Sequence, residues 1–265
     1  MDKILTLDNV CLTYHTLQGE IQALKNLSFD VKKQEFIAIV GPSGCGKTTI
    51  LSLIAGILKP TSGTIVHHST DTQKYIGYMF QRDHLFDWRT IWQNITIGLE
   101  LNNKKEIEKH RERIENLLKK YGLFDFKDKY PKQLSGGMKQ RAALIRTLAM
   151  EPELLLLDEP FSALDFQTRL NVCDDVSDII SKENKSAILV THDISEAISM
   201  ADRVIVLSNR PAYVKYILDI DLKKYGSPLK RRDSKEFHLL FDKIWEELQT
   251  NEKERKNKPK LLGWT

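Results

Sequence analysis

Cysteine is scarce: three residues, Cys11, Cys45 and Cys173, are spread over 265 positions. Their odd number and wide spacing exclude a disulfide framework and a zinc-ligand pattern, and they predict a reducing compartment. Long apolar runs are also lacking. None approaches the roughly 18 residues needed to cross a bilayer, and the stretch from Met1 to Asp8 has no signal-peptide core. The expectation is a protein that is soluble, or held at a membrane by something else. A surplus of one charge is missing too: 40 basic against 36 acidic side chains leave +4. So mild an excess gives no electrostatic argument for nucleic acid. No internal repeat, low-complexity tract or long coiled-coil insertion appears. What remains is an ordinary globular composition, 41% hydrophobic and 29% charged, in a chain long enough for one large α/β domain.

The chain is organised around one stretch that is present: Gly41, Pro42, Ser43, Gly44, Cys45, Gly46, Lys47 and Thr48, with Thr49 next. An apolar β-branched run, Phe36 to Val40, precedes it, and a helical pattern over 49–58 follows. Strand, glycine-rich loop and helix together form the context of a phosphate-binding loop. Glycines let backbone N–H groups turn inward on phosphate oxygens, and the helix start adds a positive dipole end. Lys47 is placed to reach the β- and γ-phosphates and the Thr48 hydroxyl to bind Mg²⁺. Cys45 lies inside the loop, where an added bulky group would clash with nucleotide.

Upstream, residues 3–14 and roughly 21–31 alternate as half-buried strands. Tyr14, near the end of the first, suits stacking on adenine and equally an ordinary strand position. Short strands are expected at 64–66 and 74–80, ending at Gln81. Residues 82–101 mix aromatics with charges and read as a loop, either docking a partner or tucking Phe86 and Trp88 into the core. A charged amphipathic helix is expected over 102–121.

Leu134 to Arg141 opens another helix, and Ser135, Gly136 and Gly137 at its start make a second anion-binding helix N-terminus. Either this site serves the same phosphates from another subunit, or it is only a helix cap. Leu154 to Leu157 form a buried strand ending in Asp158 and Glu159, where α/β sheets bind ligands. Asp158 suits a carboxylate orienting Mg²⁺ and Glu159 a general base for water. Ala187 to Val190 form the next strand, with His192 at its C-terminal end, positioned to bond a γ-phosphate. Alternation of strands with helices at 166–182 and 194–200, and a strand at 203–208, predicts a mostly parallel central sheet. Residues 209–232 read as peripheral strands and linker, and 234–249 as an amphipathic helix before a basic tail.

The set Gly41–Thr48, Gln81, Leu134–Met138, Leu154–Glu159, Ser162–Asp165 and His192 resembles the ATP-binding cassette ATPases over roughly residues 3–210. That resemblance implies a P-loop NTPase: a mostly parallel sheet, an N-terminal antiparallel β subdomain and an inserted α-helical subdomain. It divides the chain into an ATPase domain at 1–232, with helical subdomain at about 82–150, and a C-terminal helix and tail at 233–265. It implies ATP and Mg²⁺, with Thr48, Gln81 and Asp158 around the metal. It implies that Ser135–Gly137 meet the opposite subunit's ATP, that Gln81 and Asp165 join the nucleotide site, and that Ser162–Asp165 communicate between the two sites. The stretches Phe86–Thr90, Asn94–Glu100 and Gln133–Arg141 look like the nitrate, sulfonate and taurine importer branch. Met138 departs from the glutamine commonest across the wider family, and Asp87 stands where relatives often have proline. The resemblance implies membrane permease subunits, a second ATPase subunit as homodimer partner, a solute-binding protein, and a place on the cytoplasmic face of the membrane.

Overall fold

The structure, a computed structural model, describes residues 2–17, 19–69, 76–102 and 104–257. Its centre is a six-stranded sheet built from β3 (Phe36–Val40), β5 (Ile76–Met79), β6 (Leu154–Asp158), β7 (Ser186–Val190), β8 (Arg203–Leu207) and β9 (Val214–Asp219). The order is β5-β6-β7-β3-β8-β9. All neighbours run parallel except β9, which lies antiparallel on β8. Every residue of β3, β6 and β7 is buried, as their continuous apolar composition requires of strands covered on both faces. A separate antiparallel sheet joins β1 (Lys3–Thr16), β2 (Gly19–Lys32) and β4 (Ser62–His67) in the order β2-β1-β4.

The two faces of the central sheet support two cores. Ile37, Ile39, Leu154 and Leu156 pack with α1 (Lys47–Ile54) and the inner face of the antiparallel sheet. Phe36, Ala38, Leu155 and Leu157 pack with the helices on the other side. Those helices are α5 (Gly136–Leu148), α6 (Phe166–Lys182), α7 (Ile194–Met200) and α9 (Lys235–Asn257). Phe237 and Ile244 of α9 join this second core, so the amphipathic pattern of that helix serves packing. A short α8 (Pro228–Arg231) precedes it.

The stretch expected as a loop at 82–101 is a loop only to residue 90; its second half is helical, with α2 (Ile91–Ile95) and α3 (Ile97–Asn102) ahead of α4 (Lys104–Lys120). Thr90 caps α2 with Gln93 in a reciprocal capping box. Buried Asn94 ties the preceding turn to this helix, donating to the carbonyls of Phe86, Arg89 and Thr90. Residues 209–232 hold one strand rather than several. The helix after the glycine loop begins two residues earlier than expected, at Lys47, and ends at Ile54. Residues 74–75 of the expected 74–80 strand, and the tail from 258 on, lie outside the described residues.

Candidate nucleotide site

Strand geometry places the site. β6, β7 and β3 are adjacent and parallel, with Asp158 opposite Val190 and Ile39 opposite Val190. Gly41, Glu159 and Thr191 therefore leave one edge of the sheet together, the C-terminal edge where open α/β sheets bind ligands. The Glu159 N–H donates to the Val190 carbonyl at 2.8 Å, and the Thr191 N–H to the Ile39 carbonyl at 3.3 Å.

Within the glycine loop, Gly44 and Gly46 have φ of 72° and 122°, a region that L side chains rarely enter. Lys47 is only 6% exposed, and its Nζ donates back to the carbonyls of Gly41 and Pro42 at 2.9 and 3.2 Å. The ammonium thus hangs over the cradle that it is placed to serve. Cys45 is 2% exposed, and a Cβ on Gly41 would stand 3.0 Å from its sulfur. Burial pushes the Cys45 thiol up despite the nearby Lys47. Arg210, in the β8–β9 turn, donates to the Gly44 carbonyl at 2.7 Å.

The Thr48 hydroxyl donates to Asp158 Oδ1 at 3.0 Å, and Tyr78 donates to Asp158 Oδ2 at 3.2 Å. Burial pushes the Asp158 carboxyl up, and these two bonds oppose it. The Tyr78 hydroxyl is pushed well above the ordinary tyrosine value by burial, then by the Asp158 charge. Thr48 and Asp158 present hard oxygens side by side, a set that suits Mg²⁺ completed by phosphate and water. Among the described residues no group of three or more His, Cys, Asp or Glu assembles an all-protein metal site.

Glu159 is held at φ 44°, a left-handed conformation costing a non-glycine residue about 1–3 kcal/mol. Its Oε2 lies 3.0 Å from His192 Nδ1. Ser162 donates to the Glu159 carbonyl at 3.0 Å and accepts from Gln81 Nε2 at 3.2 Å. Gln81 therefore reaches the Glu159 turn through Ser162 rather than bonding the Thr48–Asp158 pair. The Tyr14 hydroxyl lies 3.3 Å from Thr49 Oγ1, with its ring partly exposed beside the start of α1.

Ser135 and Asp165 are helix caps here. Ser135 accepts from the Met138 N–H, and Asp165 from the Thr168 N–H. A Cβ on Gly137 would meet Val172 Cγ2 at 2.9 Å, and one on Gly136 would meet Leu164 Cδ2 at 3.0 Å. The second glycine pair thus lets α5 approach α6 and the 162–165 turn. The chain brings Lys47, Thr48, Asp158, Glu159, His192 and Gln81 to one edge; Ser135–Gly137 sit on the α5–α6 face instead. Sequence reasoning passed over Tyr78 and Arg210, and it placed Ser162 in a communicating turn without the Gln81 bond. Only the tyrosine carried a signal, a polar ring near the end of a core strand.

The family profile described as "ABC transporter" matches residues 24–162. The chain is 44% identical over 257 residues to the uncharacterized ABC transporter ATP-binding protein YtlC of Bacillus subtilis (strain 168), covering 96% of this chain and 98% of that one. It is 40% identical to the nitrate import ATP-binding protein NrtD of Synechocystis, over 89% and 92% of the two chains. Among solved structures it resembles cbiO1 from Clostridium perfringens, with TM-score 0.72 and 30% identity over 83% of this chain and 89% of that one. It also resembles a dimeric post-hydrolysis state of the ATP-binding cassette MJ0796 bound to ADP and Pi, with TM-score 0.68 and 31% identity over 82% and 99%. With the phosphate loop, the acidic strand end and the helix-start glycines set on this sheet, the chain belongs to the ABC transporter ATPases, an enzyme that binds and hydrolyses ATP.

Proposed function

We propose that this chain is the ATP-hydrolysing subunit of an importer, carrying a small anion such as nitrate, a sulfonate or taurine through separate membrane permease subunits. The observation that carries the catalytic part is the convergence of Lys47, Thr48, Asp158, Glu159 and His192 at one sheet edge. Lys47 exchanges its bonds to the loop carbonyls for the β- and γ-phosphates. Thr48 and Asp158 hold Mg²⁺, which when bound neutralises charge on the phosphates. Glu159 takes a proton from water as the water oxygen bonds to the γ-phosphorus and the bond to the ADP oxygen breaks. His192, beside the Glu159 carboxylate, aligns that water. Tyr14 and Thr49 flank the nucleotide. Ser135–Gly137 and Asp165 act on the ATP of a second copy, so that two cassettes close as a homodimer around two nucleotides.

This reading puts the chain on the cytoplasmic face of the membrane, against the permease; among the described residues no helix is long and apolar enough to cross a membrane itself. The docking surface is the groove of about 590 Å³ lined by Trp88, Arg89, Trp92, Gln93, Glu100 and Arg111, where Trp88 is 73% exposed. The nitrate-import relatives support the solute class. The working division is a cassette at 1–232, with its helical part at 82–150, and a C-terminal helix and tail at 233–265.

The test is to look for permease and solute-binding-protein genes beside the gene for this chain, and to reconstitute the chain with their products in lipid nanodiscs. ATPase stimulated severalfold by nitrate, taurine or another sulfonate is expected. Stimulation only by an outward-moving hydrophobic compound, or a cassette that does not bind the permease, overturns the importer reading.

A further inference from the structure

Between the two segments that contact Glu159 lies a guanidinium to which the reading above gives no task. Arg169, in the first turn of α6, donates through Nη2 to the Leu164 carbonyl at 2.9 Å. Its Nη1 lies 3.7 Å from Asp193 Oδ2, and its Nε 3.9 Å from Glu196 Oε1. Leu164 belongs to the turn whose Ser162 holds the Glu159 carbonyl. Asp193 and Glu196 belong to the segment that carries His192. There Asp193 Oδ1 accepts from the N–H groups of Ser195 and Glu196. Thr191 donates through its hydroxyl to Glu196 Oε2 at 2.6 Å and accepts from the Asp193 N–H at 3.0 Å. One side chain therefore touches both segments that bear on the Glu159 carboxylate and backbone.

We propose that Arg169 is a positioning residue for hydrolysis, a bracket that holds the 162–165 turn and the His192 segment in fixed relation on either side of Glu159. The inference rests on the roles of Glu159 and His192 proposed above. A guanidinium suits the task because its donors form a rigid planar fork, able to engage a carbonyl and two carboxylates at set distances. A lysine ammonium is a point charge on a flexible stem and holds such a set less firmly. The side chains are largely shielded, Arg169 at 24% and Glu196 at 4% exposure, so their mutual attraction is screened less than at the surface. The Arg169 Nε is buried without a hydrogen-bond acceptor, and Glu196 is the carboxylate it faces. Placement errors near 1 Å cost about 10²-fold in rate, so a bracket that limits smaller drifts is worth about tenfold.

The test is steady-state kinetics on Arg169→Gln, Arg169→Lys, Asp193→Asn and the double variant Arg169→Gln/Asp193→Asn, with Glu159→Gln in the same series. Asparagine keeps the helix cap at 193, so Asp193→Asn removes the charge and little else. The expected result for Arg169→Gln is kcat down about tenfold, with KM and the Kd of a fluorescent ATP analogue within twofold of wild type. Lysine restores part of the loss, and the double variant is no slower than Arg169→Gln alone. Unchanged kcat, a loss confined to KM, or multiplying losses in the double variant overturn the bracket. Should Arg169→Gln not fold, a wild-type rate in both Arg169→Lys and Asp193→Asn overturns it. A Glu159→Gln enzyme at wild-type rate removes the underlying reading. A slow Glu159→Gln beside an unimpaired Arg169→Gln removes this inference alone.

Discussion

At the scale of single residues, burial decides which groups are poised and which are inert. Glu196 is 3% exposed, and burial raises its carboxyl to about 7 from the ordinary 4.5, against the opposing Thr191 bond. The unfolded chain releases this proton near 4.5 and the folded chain only near 7. Its contribution to stability is therefore fullest below pH 4.5 and is lost as pH rises through about 7, up to about 3 kcal/mol in all. Urea titrations of wild type and Glu196→Gln at pH 5 and pH 8 check this. The glutamine variant should gain relative to wild type on going to the higher pH, and a constant difference between the two would refute it. Cys45 makes the opposite point about sequence reading. A thiol inside a phosphate loop looks accessible to reagents, yet it is packed against Gly41 with its ionisation suppressed. Maleimide should modify Cys11, which is partly exposed, faster than Cys45, and Cys11→Ser should remove the fast phase. Lys47, Thr48, Asp158 and Glu159 were legible as candidates because each stands in a motif of local spacing. Tyr78 and Arg210 were not, because each acts on a residue far away in the sequence, Asp158 and Gly44; Ser162 was legible as part of a motif, but its bond from Gln81 was not.

Among the elements, close approach of β5 and α5 depends on a missing side chain. A Cβ on Gly77 would overlap Thr147 Cγ2 and stand 2.9 Å from Pro152 Cγ. Gly77→Ala should force α5 away from the sheet and destabilise the fold by about 1–3 kcal/mol. Thermal melting is the measure, and a variant melting with wild type would mean that the helix accommodates the methyl freely. The strands were readable because buried parallel strands are continuous apolar runs and half-buried ones alternate. Helices α2 and α3 were not. At five and six residues they are too short for a 3.6-residue period to emerge, and they stand on contacts such as Asn94 to the Phe86 and Arg89 carbonyls. The start of α5 was readable as a helix cap. Its alternative role, facing a second subunit's phosphates, belongs to no contact within one chain.

For the whole molecule, Glu159→Gln should separate binding from hydrolysis. Loss of a general base costs about 10²–10⁴-fold in rate, while Lys47 and the loop amides still hold ATP. Light scattering should then report an ATP-dependent dimer, alone or with the permease, and adding Ser135→Arg should abolish it. A slow enzyme that stays monomeric with ATP in both settings would favour a site completed within one subunit. The central sheet sets how such a molecule comes apart. In β3, Ile37 and Ile39 serve one core while Phe36, Ala38 and Val40 serve the other, and β6 and β7 divide their residues in the same way. Neither layer can melt without withdrawing support from backbone that the other needs. Deuterium should enter the amides of β3, β6 and β7 at one common opening free energy, that of complete unfolding, while α2 and α3 exchange through cheaper local openings.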